Sequence, residues 1–288
     1  MKKAAFLLCL CALLSSSAIS RAFSTSGFQN PYGVVVDGNT GFIYVSNVNG
    51  DPNARDDNGF ISRLKGDGTV DQMKFIDGAV PEFTLHAPKG MAIVGTTLYV
   101  ADIDKLHAFD ISTARFLFDI NFGDFSIQHF YDIAPAPDNA LYVTDGPAGF
   151  IYRVDVPKMH EVTTFASGDQ LGQPHGICWY PAKQVFMVAG WSSGQVIALD
   201  FAGKRQATPG IFLRTLEGLR ADNTGNLFVA STSLTSVYRI SPTYAVSSFV
   251  LRANQPSGIA FQGAGNQIIV ASFDAGTVQS YPILNPNQ

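Results

Sequence analysis

Asp132, His175 and Glu217 are the residues of this 288-residue chain whose types and spacing suggest chemistry, because they follow one another at steps of 43 and 42 residues. A carboxylate, an imidazole and a second carboxylate gathered in one polar cavity can hold a divalent cation, Ca, Mg, Mn or Zn, and leave coordination sites for water or substrate. Such a cation would polarise a carbonyl and lower the pKa of its bound water to about 7. Lys89 or Asp102 would then assist proton transfer. The same three side chains could instead belong to a ring of polar residues around a water-filled channel. His86 and His129 lie three residues upstream of Lys89 and Asp132. Each could join the site or remain a solvated loop side chain, whereas His107 and His160 read as structural.

Residues so far apart in sequence need a repeating scaffold to meet. One phrase, Pro-x-Gly-apolar closing on an aromatic or aliphatic residue, Val and a small polar residue, recurs six times, opening with Pro-x-Gly at Pro31, Pro88, Pro174 and Pro256 and in altered form at Tyr131-Asp-Ile and Leu216-Glu-Gly-Leu. Taking Gly33, Gly90, Ile133, Gly176, Gly218 and Gly258 as equivalent, the steps are 57, 43, 43, 42 and 40 residues. Each period breaks into short pieces rich in Val, Ile, Phe and Tyr, separated by Gly, Asp, Asn or Pro, with no helical periodicity. In the fifth period the pieces are Gly218–Ala221, Asn226–Ser231, Ser236–Ile240 and Ala245–Leu251. A period near forty with four strands predicts an all-β, six-bladed β-propeller, four antiparallel strands to a blade.

The last period supplies only three strands before the sequence stops. Residues Ala22–Gly27 are therefore predicted to pair with the last blade and close the ring, which also removes an exposed sheet edge.

Antiparallel neighbours bring the start of each innermost strand and the end of the second strand to the same face of the disc. That face collects the residues before each anchor, Tyr32, Lys89, Asp132, His175, Glu217 and Ser257, together with Asn47, Asp102, Asp145, Trp191, Ser231 and Ser272. Tyr32, Asn47, Tyr131, Asp145, Trp191 and Ser257 are the expected ligand-binding mouth, beside the metal trio. Two loops, Asn49–Gly59 and Gly78–Pro88, open on the same face and could act as a lid. The first has the oxygen-rich composition of a calcium loop, but its spacing departs from the EF-hand pattern.

Residues 1–22 carry Lys2 and Lys3, an apolar run from Ala4 to Leu14 and small polar residues, the pattern of a cleaved secretory signal. That leaves 23–288 as one propeller domain in the periplasm or secreted outside the cell. No transmembrane segment remains after cleavage. Losing Lys2, Lys3 and Arg21 moves the formal charge from −4 to −7. Neither a basic cluster nor a basic stripe points to nucleic acid. Cys9 and Cys11 leave with the signal, so Cys178 has no disulfide partner and reads as a small buried hydrophobe. No Gly-x-Ser-x-Gly elbow, phosphate loop or His-Glu-x-x-His occurs, which removes the usual support for serine hydrolase, nucleotidase and zincin chemistry.

The stretches 44–50, 57–64, 87–95 and 98–104 resemble exported bacterial propellers of the SMP-30/gluconolactonase/LRE-like family, and the repeat phrase is similar to NHL repeats. The resemblance covers essentially the whole mature chain. It implies a six-bladed propeller and, in the family's enzymes, a divalent metal held by a first-blade Glu, an Asn before the fourth-blade Gly and an Asp before the fifth-blade Gly. The matching positions here are Pro31 or Tyr32, His175 and Glu217. The family's third-blade Asn-Asp pair becomes Tyr131 and Asp132. The first position has no carboxylate and the other two change type. The leading expectation is thus a propeller that binds a small molecule or protein ligand at its axial mouth. The alternative is a divalent-metal-dependent lactone or ester hydrolase with a modified metal site.

Overall fold

In a computed structural model, which describes residues 22–208, 210–263 and 265–283, the chain forms six four-stranded antiparallel sheets and two single-turn 3-10 helices. The sheets are the blades of a propeller. Their innermost strands are Pro31–Val36, Met91–Val94, Phe130–Pro135, Pro174–Tyr180, Leu216–Ala221 and Pro256–Gln262. No helix among the described residues is long and apolar enough to cross a membrane. The expected signal falls on residues 1–22, all but the last of which lie outside the described residues.

Ring closure follows the sequence expectation. Ser24–Ser26 is the outermost strand of the sixth blade and pairs antiparallel with Thr277–Pro282, Ser24 opposite Gln279 and Ser26 opposite Thr277. The two ends of the described chain thereby lock one blade.

Side chains alternate across each strand, so both faces of a blade are apolar and bury themselves against the neighbouring blades. The core is accordingly divided among the blade interfaces. Leu141, Val143 and Tyr152 of blade 3 pack with Tyr99, Leu106 and Ala108 of blade 2, while Ile177, Phe186 and Val188 of blade 4 meet the other face of blade 3. Cys178 packs between blades 4 and 5 beside Leu219 and Val229. Burial pushes its thiol up to about 12, which makes it inert near neutral pH.

The anchor glycines are required by close approach at the axis. A Cβ on Gly33 would lie 2.1 Å from Lys89 O, on Gly176 2.2 Å from Glu217 O, and on Gly258 2.3 Å from Tyr32 O. Each glycine thus lets the next blade's innermost strand slide in against it. The residue just before it sits in a break of the ladder, with the register shifting between Pro31 and Val34, Pro174 and Ile177, Leu216 and Leu219, and Pro256 and Ile259. A bulge of this kind re-aims one side chain, here toward the axial mouth.

Blade 3 corrects the frame expected from sequence. Phe130 pairs with Asp145 and Ile133 with Val143, as Pro31 pairs with Asn47 and Val34 with Val45 in blade 1. The residue equivalent to Gly33 is therefore Asp132, not Ile133. The residue before the anchor is Tyr131.

Candidate functional site

With that correction, the residues before the six anchors are Tyr32, Lys89, Tyr131, His175, Glu217 and Ser257, and all of them line a single cavity of about 450 Å³ at one end of the axis. Pro52, Trp191 and Phe273 add to its walls. Five of these nine side chains carry aromatic rings, Tyr32, Tyr131, His175, Trp191 and Phe273, so the mouth is chiefly an aromatic cup.

The rings are ordered against one another. Tyr131 and His175 stack with centroids 3.6 Å apart and planes at 16°, and His175 in turn stacks on Trp191 at 5.6 Å and 21°. Tyr32 meets Phe273 edge-on at 6.3 Å. Trp191 lies one residue past the strand Val185–Gly190 and keeps 38 % of its surface exposed, which leaves its outer face available to a ligand.

Glu217 ties this cup together. Its Oε2 accepts from the Tyr32 hydroxyl and, at 3.0 Å, from His175 Nδ1. Burial, followed by the Glu217 carboxylate, raises Tyr32 well above the usual phenol range, so its hydroxyl stays a donor.

Lys89 is the cationic side chain of the lining and only 1 % exposed. Its Nζ meets His129 Nε2 and donates to the carbonyl oxygens of Pro52 at 3.2 Å and Ala87 at 3.4 Å. The rings of Tyr131 and Tyr32 lie 5.5 and 6.0 Å from it. Among the described residues no carboxylate forms an ion pair with this amine. Burial brings its pKa down to about 7 against the pull of Asp102, Glu217 and Asp51. Burial, and then the Lys89 charge, lowers His129 to about 3, so that imidazole is neutral.

The expected metal trio does not assemble. His175 and Glu217 bond directly to each other, and Asp132 lies deeper in the channel because it occupies the glycine position of its blade. Its two oxygens accept from Arg220 at 2.6 and 2.9 Å, from Ile133 N at 2.9 Å and from Ile177 N at 3.1 Å. That set of donors leaves no lone pair free for a cation. Among the described residues no group of three or more His, Cys, Asp or Glu is arranged to hold a metal ion. The donors present do not fit a divalent cation at this mouth.

Three other expected site residues turn out to staple loops. Asn47 Oδ1 accepts from Gln29 N at 3.0 Å, Asp145 from Gln128 N and His129 N at 2.8 and 3.0 Å, and Asp102 from His86 N and Ala87 N at 2.7 Å each. All three are fully buried outside the cavity lining, holding the segment that enters their own blade. Burial would raise Asp102, but the His107 imidazole 3.5 Å away and hydrogen bonds from the two backbone amides outweigh it and bring the carboxyl to about 2. A group held ionised in this way is a poor proton shuttle.

Of the two lid loops, Asn49–Gly59 brings Pro52 into the cavity wall, and Gly78–Pro88 brings Ala87 O against the Lys89 amine. The loops are joined by Asp57 N donating to His86 Nδ1 at 3.1 Å and Leu85 N donating to Asp57 Oδ1 at 2.6 Å. The carboxylates of the first loop go to separate partners, Asp51 to Asn53 and Asp57 to Leu85. His107 and His160 hold outer strands, through Asp119 and Tyr99 respectively. Sequence reasoning missed Phe273 and Arg220, which follow or sit inside strands that carry no unusual motif.

The fold is similar to that of several solved enzymes. A gluconolactonase from Xanthomonas campestris is 16 % identical, with 91 % of this chain and 90 % of that one covered at a TM-score of 0.68. The virginiamycin B lyase of Staphylococcus aureus is 12 % identical over 92 % of this chain and 99 % of its own, with a TM-score of 0.66. A streptogramin B lyase is 10 % identical over 91 % and 98 %, with a TM-score of 0.64. At such identities the likeness concerns the fold. No family model and no curated protein matches the chain.

Proposed function

We propose that this chain is an exported propeller that binds a small molecule with a flat, apolar part at its axial mouth. The observation that carries this reading is the cavity of about 450 Å³ formed by all six repeat-equivalent positions and walled by Tyr32, Tyr131, His175, Trp191 and Phe273. Rings held in a stack supply apolar contact area at little cost in conformational entropy. Lys89 at one side and Glu217 at another supply one donor head and one acceptor head that fix the orientation of a bound molecule. Export is supported by Lys2, Lys3 and the apolar run Ala4–Leu14.

The similarity to gluconolactonase and streptogramin B lyase folds supports a second reading, hydrolysis or cleavage of a lactone or ester at the same mouth. Because the donor set does not fit a divalent cation, no step of that chemistry is assigned to a metal here.

The test is calorimetric titration of the mature chain with a library of aromatic fragments, alongside a panel of lactones assayed for turnover. Binding by wild type that falls at least tenfold in Trp191→Ala and Tyr131→Ala, both still folded, is the expected result. Fragment binding unaffected by either change, or none at all, would overturn the reading. Lactone turnover would establish the second reading instead. Export is checked by sequencing the N-terminus of protein recovered from periplasm or medium, expected near residue 23.

A further inference from the structure

Lys89 is a buried amine in a ligand-sized cavity, and binding alone does not account for its surroundings. A buried ammonium is ordinarily paired with a carboxylate. Here the nearest groups are a neutral imidazole, two carbonyl oxygens and two aromatic faces. Glu217, the carboxylate of the lining, is occupied by Tyr32 and His175 instead. A lysine desolvated in a pocket, without an ion pair and hydrogen-bonded to a neutral imidazole, has the arrangement of a nucleophilic amine.

We propose that Lys89 forms an imine with an aldehyde or ketone group of the molecule that enters the mouth. The proposal rests on the mouth-binding reading above and adds the chemical class of the ligand, a carbonyl compound with a flat apolar portion. Near neutral pH, burial leaves a substantial fraction of the amine unprotonated.

The step balances without a co-reactant. The Nζ lone pair attacks the carbonyl carbon, a C–N bond forms, and the C=O π pair moves onto oxygen. The proton released by nitrogen passes to solvent and the oxygen takes one up, so no net charge is left on the adduct. Loss of that oxygen as water, with a second proton leaving nitrogen, gives C=N. Amine plus carbonyl become imine plus water with no change in oxidation state. The stacked rings of Tyr131, His175 and Trp191 would hold the apolar portion.

The experiment is reductive trapping of the mature chain at pH 7 with benzaldehyde and cyanoborohydride, read by peptide mapping in a mass spectrometer. The expected result is benzylation of Lys89 on the order of tenfold or more above each of the exposed lysines Lys65, Lys74, Lys158, Lys183 and Lys204. Trapping should rise with pH through about 7 and then level. Adducts spread over the exposed lysines with Lys89 unmodified would overturn the proposal. Benzyl alcohol, which has no carbonyl, separates the two readings by its quenching of Trp191 fluorescence. If it binds at the mouth while benzaldehyde leaves Lys89 unmodified, the imine fails and mouth binding stands; if neither compound binds or reacts, both fail.

Discussion

Asp132 of blade 3 and Arg220 of blade 5 meet across the axial channel through two hydrogen bonds of 2.6 and 2.9 Å, spanning blade 4 between them. Arg220 also donates to Ile177 O, and Asp132 accepts from Ile177 N, so the pair grips the middle blade by its backbone. A fork-shaped guanidinium suits this bidentate geometry, and Lys would not reproduce it.

Asp132→Ala leaves a largely buried guanidinium without its partner and should cost about 3–5 kcal/mol in urea unfolding. The double change Asp132→Gly with Arg220→Leu restores the repeat's own glycine and removes the stranded charge, so it should recover most of that loss. A double variant as unstable as the single one would show that the pair does not hold the blades.

Gly218→Ala should destabilise by about 1–3 kcal/mol, because the added methyl would sit 2.5 Å from Ser257 O and 3.1 Å from Gly258 Cα of the next blade. Gly38→Ala has nothing within 4 Å of its new methyl and serves as the control. Thermal midpoints of the two variants, measured side by side, check this, and equal midpoints would contradict a close-packed axis.

Lys89 makes stability depend on pH. Its amine titrates at about 7 when folded and near 10.5 ordinarily. Below about pH 7 both states hold the proton, and the folded state bears the full cost of a buried ammonium. Between about 7 and 10.5 the unfolded chain binds more protons, so stability rises with pH, by at most about 1.4 kcal/mol per unit. Urea midpoints from pH 6 to 9 should therefore climb in wild type relative to Lys89→Met. Parallel curves would place the amine's titration elsewhere.

Removing residues 22–27 should open the ring. The strand Thr277–Pro282 would lose its Ser24–Ser26 partner and present an unpaired edge. We expect a lower thermal midpoint and a concentration-dependent rise in mass by light scattering. A deletion variant that stays monomeric at the wild-type midpoint would show that closure contributes nothing.

Much of this molecule is legible in its repeat. The spacing of Gly33, Gly90, Gly176, Gly218 and Gly258 carries the blade count, and the three-stranded final period carries the closure by Ala22–Gly27. The position before each glycine also marks the mouth, five times out of six, at Tyr32, Lys89, His175, Glu217 and Ser257. The sixth was displaced by one residue because blade 3 has no glycine to mark the frame. The ladder Phe130–Asp145 and Ile133–Val143 sets it instead. Asn47, Asp102 and Asp145 looked like mouth residues because a carboxylate or amide that accepts backbone N–H groups reads the same in sequence as one that faces a cavity.

Sequence by itself determined the architecture, since period and strand alternation are local properties that every copy repeats and that pack only one way around a ring. The tertiary structure alone decided what the polar residues do. Whether Asp132 ligates or braces, whether Lys89 has a counter-ion and whether His175 faces Glu217 depend on which side chains from different blades come within hydrogen-bonding distance. Those meetings join residues 40 to 185 positions apart, from Lys89 with His129 to Tyr32 with Glu217, and no local pattern encodes them.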